Sequence, residues 1–230
     1  MLLASLVATA IASPLAAVIF PAATIPTQRE VSIEGFGLAA TRSVCAQPVE
    51  TWGNCSDTTS LVGGPALRGQ VPLHPRVGVD LRGGVLFDHG DPLFFGMATV
   101  KASVVATEAI HVTPWASAVR LVDEGIVGMT GVSVDAGGDR VRADISVPVG
   151  VALFSGADVE VVPPFIPPAF SELGVRYRVN ARHTVRIGTL SIVAPGVGWQ
   201  GTFGPTTIEA ALHLAPAQTP YARLAITRAM

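Results

Sequence analysis

Apolar and charged side chains alternate along much of this chain with a period of two residues. Between positions 67 and 87 the odd positions are mostly apolar, whereas the even positions carry the charged side chains. The same alternation returns between 140 and 154 and between 172 and 180. A helix would spread these charges around its circumference, but a β-strand places successive side chains on opposite faces. The pattern therefore predicts long strands with one apolar face and one charged face.

Weaker alternation extends this prediction over nearly the whole chain after residue 30, and no long amphipathic helix is predicted. The candidate strands are 30–41, 64–73, 76–87, 95–111, 115–122, 126–135, 140–154, 172–180, 184–194, 206–214 and 221–229. Tight turns are predicted at 74–76, 113–114, 136–139 and 180–183, and looser loops at 43–63, 88–94, 155–171 and 195–205. The alternation of short and long connections predicts one end of tight turns and one end of longer loops.

The composition bears on what surrounds these strands. The chain is 49% hydrophobic and only 14% charged, whereas soluble domains carry about 25% charged residues. A folded protein with so few charges either belongs to a larger assembly or turns part of its surface toward lipid. The net charge of −2 does not favour nucleic acid as a partner.

The first seventeen residues, MLLASLVATAIASPLAA, form an apolar stretch without a charged side chain. This stretch predicts a secretory signal peptide, with small residues at cleavage sites after Ala12, Ala17 or Ala23. The division is then a leader at 1–23 and a single exported domain at 24–230. An uncleaved anchor helix or a buried segment is the alternative.

The only two cysteines, Cys45 and Cys55, lie in the segment CAQPVETWGNC. In an oxidising compartment this spacing predicts a disulfide that closes a loop. Two free thiols are the alternative, and two cysteines alone make a poor zinc site.

Apolar-out, polar-in strands of about ten residues, joined alternately by short turns and longer loops, resemble small bacterial outer-membrane β-barrels. The resemblance covers about 30–230 and is architectural, without a family motif. It implies an all-β, antiparallel, up-and-down transmembrane β-barrel that has outer-membrane lipid as its partner. Because such barrels have even strand numbers, the candidates are interpreted as about ten strands, within a range of eight to twelve. The chain departs from the pattern at its last residue, Met230, where these barrels often have an aromatic.

A soluble fold is the main alternative. A periplasmic or secreted β-sandwich or lipocalin-like barrel also alternates, but it turns its apolar face inward and could bind an apolar ligand there. Strand length and the low charge content favour the membrane interpretation.

In a membrane barrel the charged face lines the lumen and the apolar face meets lipid. The predicted lumen-lining residues are Arg68, Arg76, Asp80, Arg82, Arg120, Arg140, Arg142, Asp144, Glu172, Arg176, Arg178 and Arg186. The predicted lipid-facing residues are Val77, Val79, Leu81, Val85, Val141, Ile145, Val147, Val149, Val151, Val175, Tyr177 and Val179.

Arginine exceeds carboxylate on the charged face, so the predicted lumen is net positive and favours small anions. Side chains fill the interior of an eight-stranded barrel, whereas twelve strands leave room for a pore. The alternative is a closed structural barrel whose interior is crossed by arginine–carboxylate pairs.

No catalytic site, cofactor or metal site is predicted. The five histidines lack spacings such as HxH or HExxH. Some outer-membrane barrels are hydrolases that use serine, histidine and an acid, and Ser191 and His183 are available here. No local motif connects them, so the prediction is a non-enzymatic barrel, structural or narrowly conductive, with a barrel hydrolase as the alternative.

Overall fold

The computed structural model describes residues 25–45, 55–88, 91–121, 125–155, 158–161, 171–190, 194–215 and 219–230. The predicted signal peptide at 1–23 lies outside these ranges. The strands are β1 (Glu30–Cys45), β2 (Cys55–His74), β3 (Val77–Asp88), β4 (Asp91–Ala102), β5 (Val105–Ala106), β6 (Ile110–Leu121), β7 (Gly125–Gly137), β8 (Val141–Ser155), β9 (Asp158–Val161), β10 (Glu172–Arg178), β11 (His183–Leu190), β12 (Ala194–Phe203), β13 (Thr206–Ala215) and β14 (Thr219–Ala229). In these ranges no helix is long and apolar enough to cross a membrane.

The strands close into an antiparallel barrel in chain order. The last strand, β14, pairs with β1, so that Ala229 lies opposite Glu30 and Tyr221 opposite Leu38. Twelve strands form the wall, because β5 only extends the pairing of β6, and β9 and β10 pair with opposite ends of β8. The predicted all-β, up-and-down barrel is confirmed. The preferred count of about ten strands was too low.

The eleven candidate strands omitted β12, which makes the twelfth, and one predicted turn was misplaced. The segment predicted as a loose loop at 195–205 contains β12, which pairs with β11 and β13. Its sequence, APGVGWQGTF, has no charged residue to mark the alternation. The turn predicted at 113–114 lies inside β6, and the chain instead turns at 103–109. There the Thr107 Oγ1 accepts a hydrogen bond of 2.9 Å from the Ile110 N–H.

The connections after β2, β4, β7, β10 and β12 lie at one end of the barrel, which we call the turn end. The Asn180 side chain stabilises one of these turns, because its Oδ1 accepts hydrogen bonds from the backbone N–H groups of Arg182 and His183. Gly204 makes another turn at a φ of 61°, a conformation that glycine adopts without steric cost. The Met230 N–H donates to the Arg29 carbonyl over 2.9 Å, so both ends of the barrel-forming chain lie here. The opposite end, which we call the loop end, carries the connections after β1, β3, β6, β8, β11 and β13.

Candidate functional site: the interior of the barrel

The two faces of the wall have opposite polarity. On β3 the side chain of Leu81 is 52% exposed, whereas Asp80 is 1% exposed and Arg82 is buried as well. In a closed barrel the exposed alternate positions point outward and the buried ones inward. The exterior is therefore apolar and the interior carries charge, which is the reverse of the arrangement that a soluble barrel with an apolar core requires.

One ionic cluster centres on Glu34 of β1. The Arg82 Nη2 lies 2.5 Å from one carboxylate oxygen of Glu34, and the Arg223 Nη2 donates to the other over 3.0 Å. The Arg68 Nη1 is 3.9 Å from Glu34, and its Nε donates to Asp80 over 2.9 Å. We call these five residues the Glu34 cluster. The strands β1, β2, β3 and β14 contribute to it, so the cluster links the first and last strands across the closure of the barrel.

A second cluster lies across the interior, on β7, β8, β10 and β11. The Arg186 Nη2 is 2.6 Å from the Asp144 carboxylate, and its Nη1 is 2.6 Å from Glu172. The Arg176 Nε is 3.2 Å from Asp144. Asp135 pairs with both Arg142 and Arg176. We call this group the Asp144 cluster, and its members are Asp135, Arg142, Asp144, Glu172, Arg176 and Arg186.

Solvent reaches the cations of these clusters more than their carboxylates. Glu34, Asp80 and Asp135 are each at most 2% exposed. The arginines other than Arg82 keep between 15% and 34% of their side chains exposed, with Arg68 lowest and Arg176 highest. Among the described interior residues, carboxylates nearly balance cations in number, but several of the carboxylates are buried from solvent. The charge that water meets is therefore richer in arginine.

The interior is filled unevenly. Along β4, β6 and β7 the buried side chains of Met97, Trp115, Val119 and Met129 pack against one another. Phe36 and Phe95 make an edge-on ring contact with centroids 6.2 Å apart. Closer to the turn end, hydroxyl groups on adjacent strands form hydrogen bonds, Thr99 with Ser117 over 2.6 Å and Ser133 with Ser146 over 2.8 Å. This side of the barrel is closed by packed side chains.

The opposite side, along β10 to β13, has small residues at its inward positions. A Cβ on Gly174 would lie 2.5 Å from the Arg186 Nε, and a Cβ on Gly196 would overlap the His213 ring. Glycine at these positions lets the guanidinium and the imidazole lie against the backbone. The inward positions Arg186, Gln200 and Glu209 on this wall are half-buried, so water reaches it beside the Asp144 cluster.

The structure places the predicted lumen-lining residues in two groups. Buried or half-buried interior positions are occupied by Arg68, Asp80, Arg82, Arg142, Asp144, Glu172, Arg176 and Arg186. Exposed positions are occupied by Arg76, Arg120, Arg140 and Arg178. Three of the exposed arginines lie in or beside the short turns. The fourth, Arg120, is a correction, because the inward side chains of β6 are Trp115, Ser117 and Val119 and the next residue points outward.

Sequence reasoning missed several interior charges, namely Glu34, Lys101, Asp135 and Arg223. The alternation around Glu34 includes the inward Phe36, which made the two faces hard to separate. In β14 the inward Arg223 is followed by the inward Ala225. A single charge was therefore the only mark of the polar face on this part of the strand. Pairing across the closure brings these positions together, and no local pattern reports that pairing.

Most predicted lipid-facing residues are exposed or half-exposed, and one differs. Leu81, Val141, Val149, Val175, Tyr177 and Val179 are exposed, and Val77, Val79, Val85, Ile145 and Val147 are half-exposed. Val151 instead packs against the interior cluster of Trp115 and Met129. The register between β7 and β8 shifts at Thr130 and Gly131. This β-bulge inserts Val149 as an extra residue and reverses the alternation beyond it.

The described residues contain no group of three or more metal-ligating side chains that could hold an ion. Of the two residues considered for a hydrolase, Ser191 lies outside the described ranges. His183 stacks on Trp199 with ring centroids 5.7 Å apart, near the turn end of the wall. The backbone register places Cys45 opposite Cys55, and the disulfide between them stays a prediction.

The fold is similar to that of several solved outer-membrane channels. A KdgM porin in complex with disordered oligogalacturonate matches with a TM-score of 0.57 at 8% identity, covering 86% of this chain and 99% of that one. An outer-membrane channel from Pseudomonas putida matches with a TM-score of 0.55 at 12% identity, covering 90% and 97%. A TodX mutant, described as a monoaromatic hydrocarbon channel, matches with a TM-score of 0.52 at 11% identity, covering 95% of both chains. No protein-family model and no curated protein sequence matches the chain. The resemblance to outer-membrane β-barrels that the sequence predicted is confirmed at the level of the fold.

Proposed function

We propose that this protein is a narrow, non-enzymatic pore of the outer membrane that favours small anions. One observation carries the proposal: five of the six arginines in the two clusters are accessible to solvent, whereas Glu34, Asp80 and Asp135 are buried. Rings of accessible arginine attract anions and repel cations. The buried carboxylates neutralise the arginines of the clusters, but an ion that crosses the barrel does not come into contact with them.

The membrane setting rests on the exterior. The outward side chains are apolar over the length of the strands, and Leu67, Leu81 and Ile187 are each more than half exposed. Contiguous exposed apolar surface of this extent is unfavourable in water. A closed barrel satisfies every backbone hydrogen bond of its wall, which is the condition for strands to lie in lipid. Outer-membrane fold neighbours support the same location.

The proposed path runs along β10 to β13 and not through the middle of the barrel. Packed side chains of Trp115 and Met129 close the other side, whereas Arg186 and Arg176 keep 23% and 34% of their side chains exposed to solvent. One fold neighbour was solved with oligogalacturonate, and another is described as a hydrocarbon channel. The arginine-lined side of this interior favours a charged solute over an apolar one.

Export is part of the proposal. We propose that residues 1–23 form the leader and that Cys45 and Cys55, opposite each other in the register, form a disulfide after export. Deleting 1–23 should abolish recovery in the outer membrane. Intact mass should be about 2 Da lower without reductant than with it, and equal masses would contradict the disulfide.

Ion flux in proteoliposomes tests the pore directly. The full chain, extracted from the outer membrane, is reconstituted in vesicles that contain a halide-quenched dye, and chloride influx is compared with potassium flux. We expect chloride to move faster, and Arg186→Gln to reduce this preference. Arg186→Lys, which keeps the charge, should retain it, and Arg120→Gln removes an outward charge as the matched control. No flux of either ion would favour the closed structural barrel, and faster potassium flux would contradict the arginine-lined path.

A further inference from the structure

The outer face of the barrel has a groove, and the outward Arg120 is one of the residues that line it. It has a volume of about 610 Å³ and crosses β2, β3, β4 and β6. Its floor consists of small outward residues, Gly69, Gly83, Gly96, Ala98 and Ala118. Leu67, Leu81 and Ile126 border it.

Strand register places the cation directly beside the glycines. Gly83 lies opposite Gly96, and Gly96 lies opposite Arg120. A Cβ on Gly96 would meet nothing within 4 Å, so no neighbouring side chain fills this part of the groove. The guanidinium thus lies at the edge of an open apolar depression.

An outward arginine in a membrane wall needs an anion or water close by, because lipid solvates charge poorly. Arg120 is the penultimate residue of β6, next to Leu121 at the loop end. Its long side chain can extend from there toward the headgroups of the leaflet at the loop end. The other arginines on these strands do not share this role, because Arg68 and Arg82 point inward to Asp80 and Glu34.

We propose that this groove binds one phosphate-bearing anionic lipid of the leaflet at the loop end. The planar guanidinium of Arg120 holds the phosphate through paired hydrogen bonds. An acyl chain lies in the depression over Gly96 and Gly83, between Leu67 and Leu81, where side-chain-free backbone permits close packing. The charge of Arg120 favours this occupant over a neutral lipid. The proposal rests on the membrane setting of the proposed function but not on conduction.

Native mass spectrometry of the full chain tests this site with phosphatidylglycerol and phosphatidylcholine of identical acyl chains as probes. We expect one phosphatidylglycerol to be retained, and Arg120→Gln to weaken its binding about tenfold, the loss of one charge-assisted contact. Arg178→Gln is the matched control, since Arg178 is also exposed but lies at the turn end of β10, a strand that does not line the groove. Gly96→Leu keeps Arg120 but fills the depression, and it should also lower retention of phosphatidylglycerol.

Several results would overturn the site. Equal retention of the two lipids, or retention that Arg120→Gln leaves unchanged, would remove the role of the guanidinium. A lipid-independent dimer that Gly96→Leu disrupts would assign the groove to a second copy of the chain. Chloride flux of the same variants separates this proposal from the pore: weakened lipid binding with normal flux supports the site alone. A wild-type protein that retains phosphatidylglycerol but passes no chloride would contradict only the pore.

Discussion

Removing the charge of Glu34 is expected to destabilise the barrel strongly. The carboxylate is 2% exposed and lies 2.5 Å from Arg82 and 3.0 Å from Arg223. In Glu34→Gln, Arg82 and Arg223 would lose the anion between them, and Arg82, at 4% exposed, has almost no access to water in its place. Breaking a buried ion pair by removing one partner costs about 3–5 kcal/mol, and the two direct contacts place Glu34 in this range.

Glu209 provides the matched control because it contacts the same arginine from an accessible position. Its carboxylate is 39% exposed and lies 3.7 Å from the Arg223 Nη2. Glu209→Gln should therefore lower the free energy of unfolding by less than about 1 kcal/mol. The assay is equilibrium unfolding of the reconstituted barrel in denaturant, followed by tryptophan fluorescence. Equal stabilities of the two variants would refute the reasoning, since they would show that sealing Glu34 among arginines contributes nothing.

Three further substitutions probe other parts of the account. Leu81→Arg should cost about 2–4 kcal/mol in vesicles, because it places a cation on the lipid-facing wall; an unchanged unfolding midpoint would contradict the lipid-facing assignment. Gly131→Leu should lower the unfolding midpoint, because even a Cβ there would overlap the Trp115 ring, and a wild-type midpoint would show that the interior has room to spare. Ile25→Ala should raise the flux of chloride, since the Ile25 Cγ2 lies 3.1 Å from the position of a Cβ on Gly78 and a smaller side chain widens the turn end without adding charge. An unchanged flux would show that this segment does not border the path.

The sequence was most informative where charge and apolar residues alternate strictly, as on β3. There Asp80 and Arg82 alternate with Leu81, and one local pattern identified the strand and separated its two faces. It failed on β12, whose pairing with β11 and β13 depends on neighbours and not on its own glycine-rich sequence. Strand pairing supplies the hydrogen bonds there, so strand formation does not need local alternation.

Two features of the barrel interior could not be predicted from the local sequence. The bulge at Val149 reverses the faces of β8, and it appears only in the register against Thr130 and Gly131. The Glu34 cluster joins residues nearly 190 positions apart, since Arg223 reaches Glu34 only after β14 closes onto β1. Interior charges on weakly alternating strands were therefore not predicted, and Arg120, at the end of β6, was assigned to the wrong face.

The reversal potential of single channels in a planar bilayer, under a gradient of potassium chloride, tests the central claim most directly. The measurement reports which ion crosses the barrel without requiring any substitution. We predict the sign of an anion-selective pore, because more arginines than carboxylates of the two interior clusters are accessible to solvent. A reversal potential of the opposite sign, or a bilayer in which the inserted protein never conducts, would contradict the account.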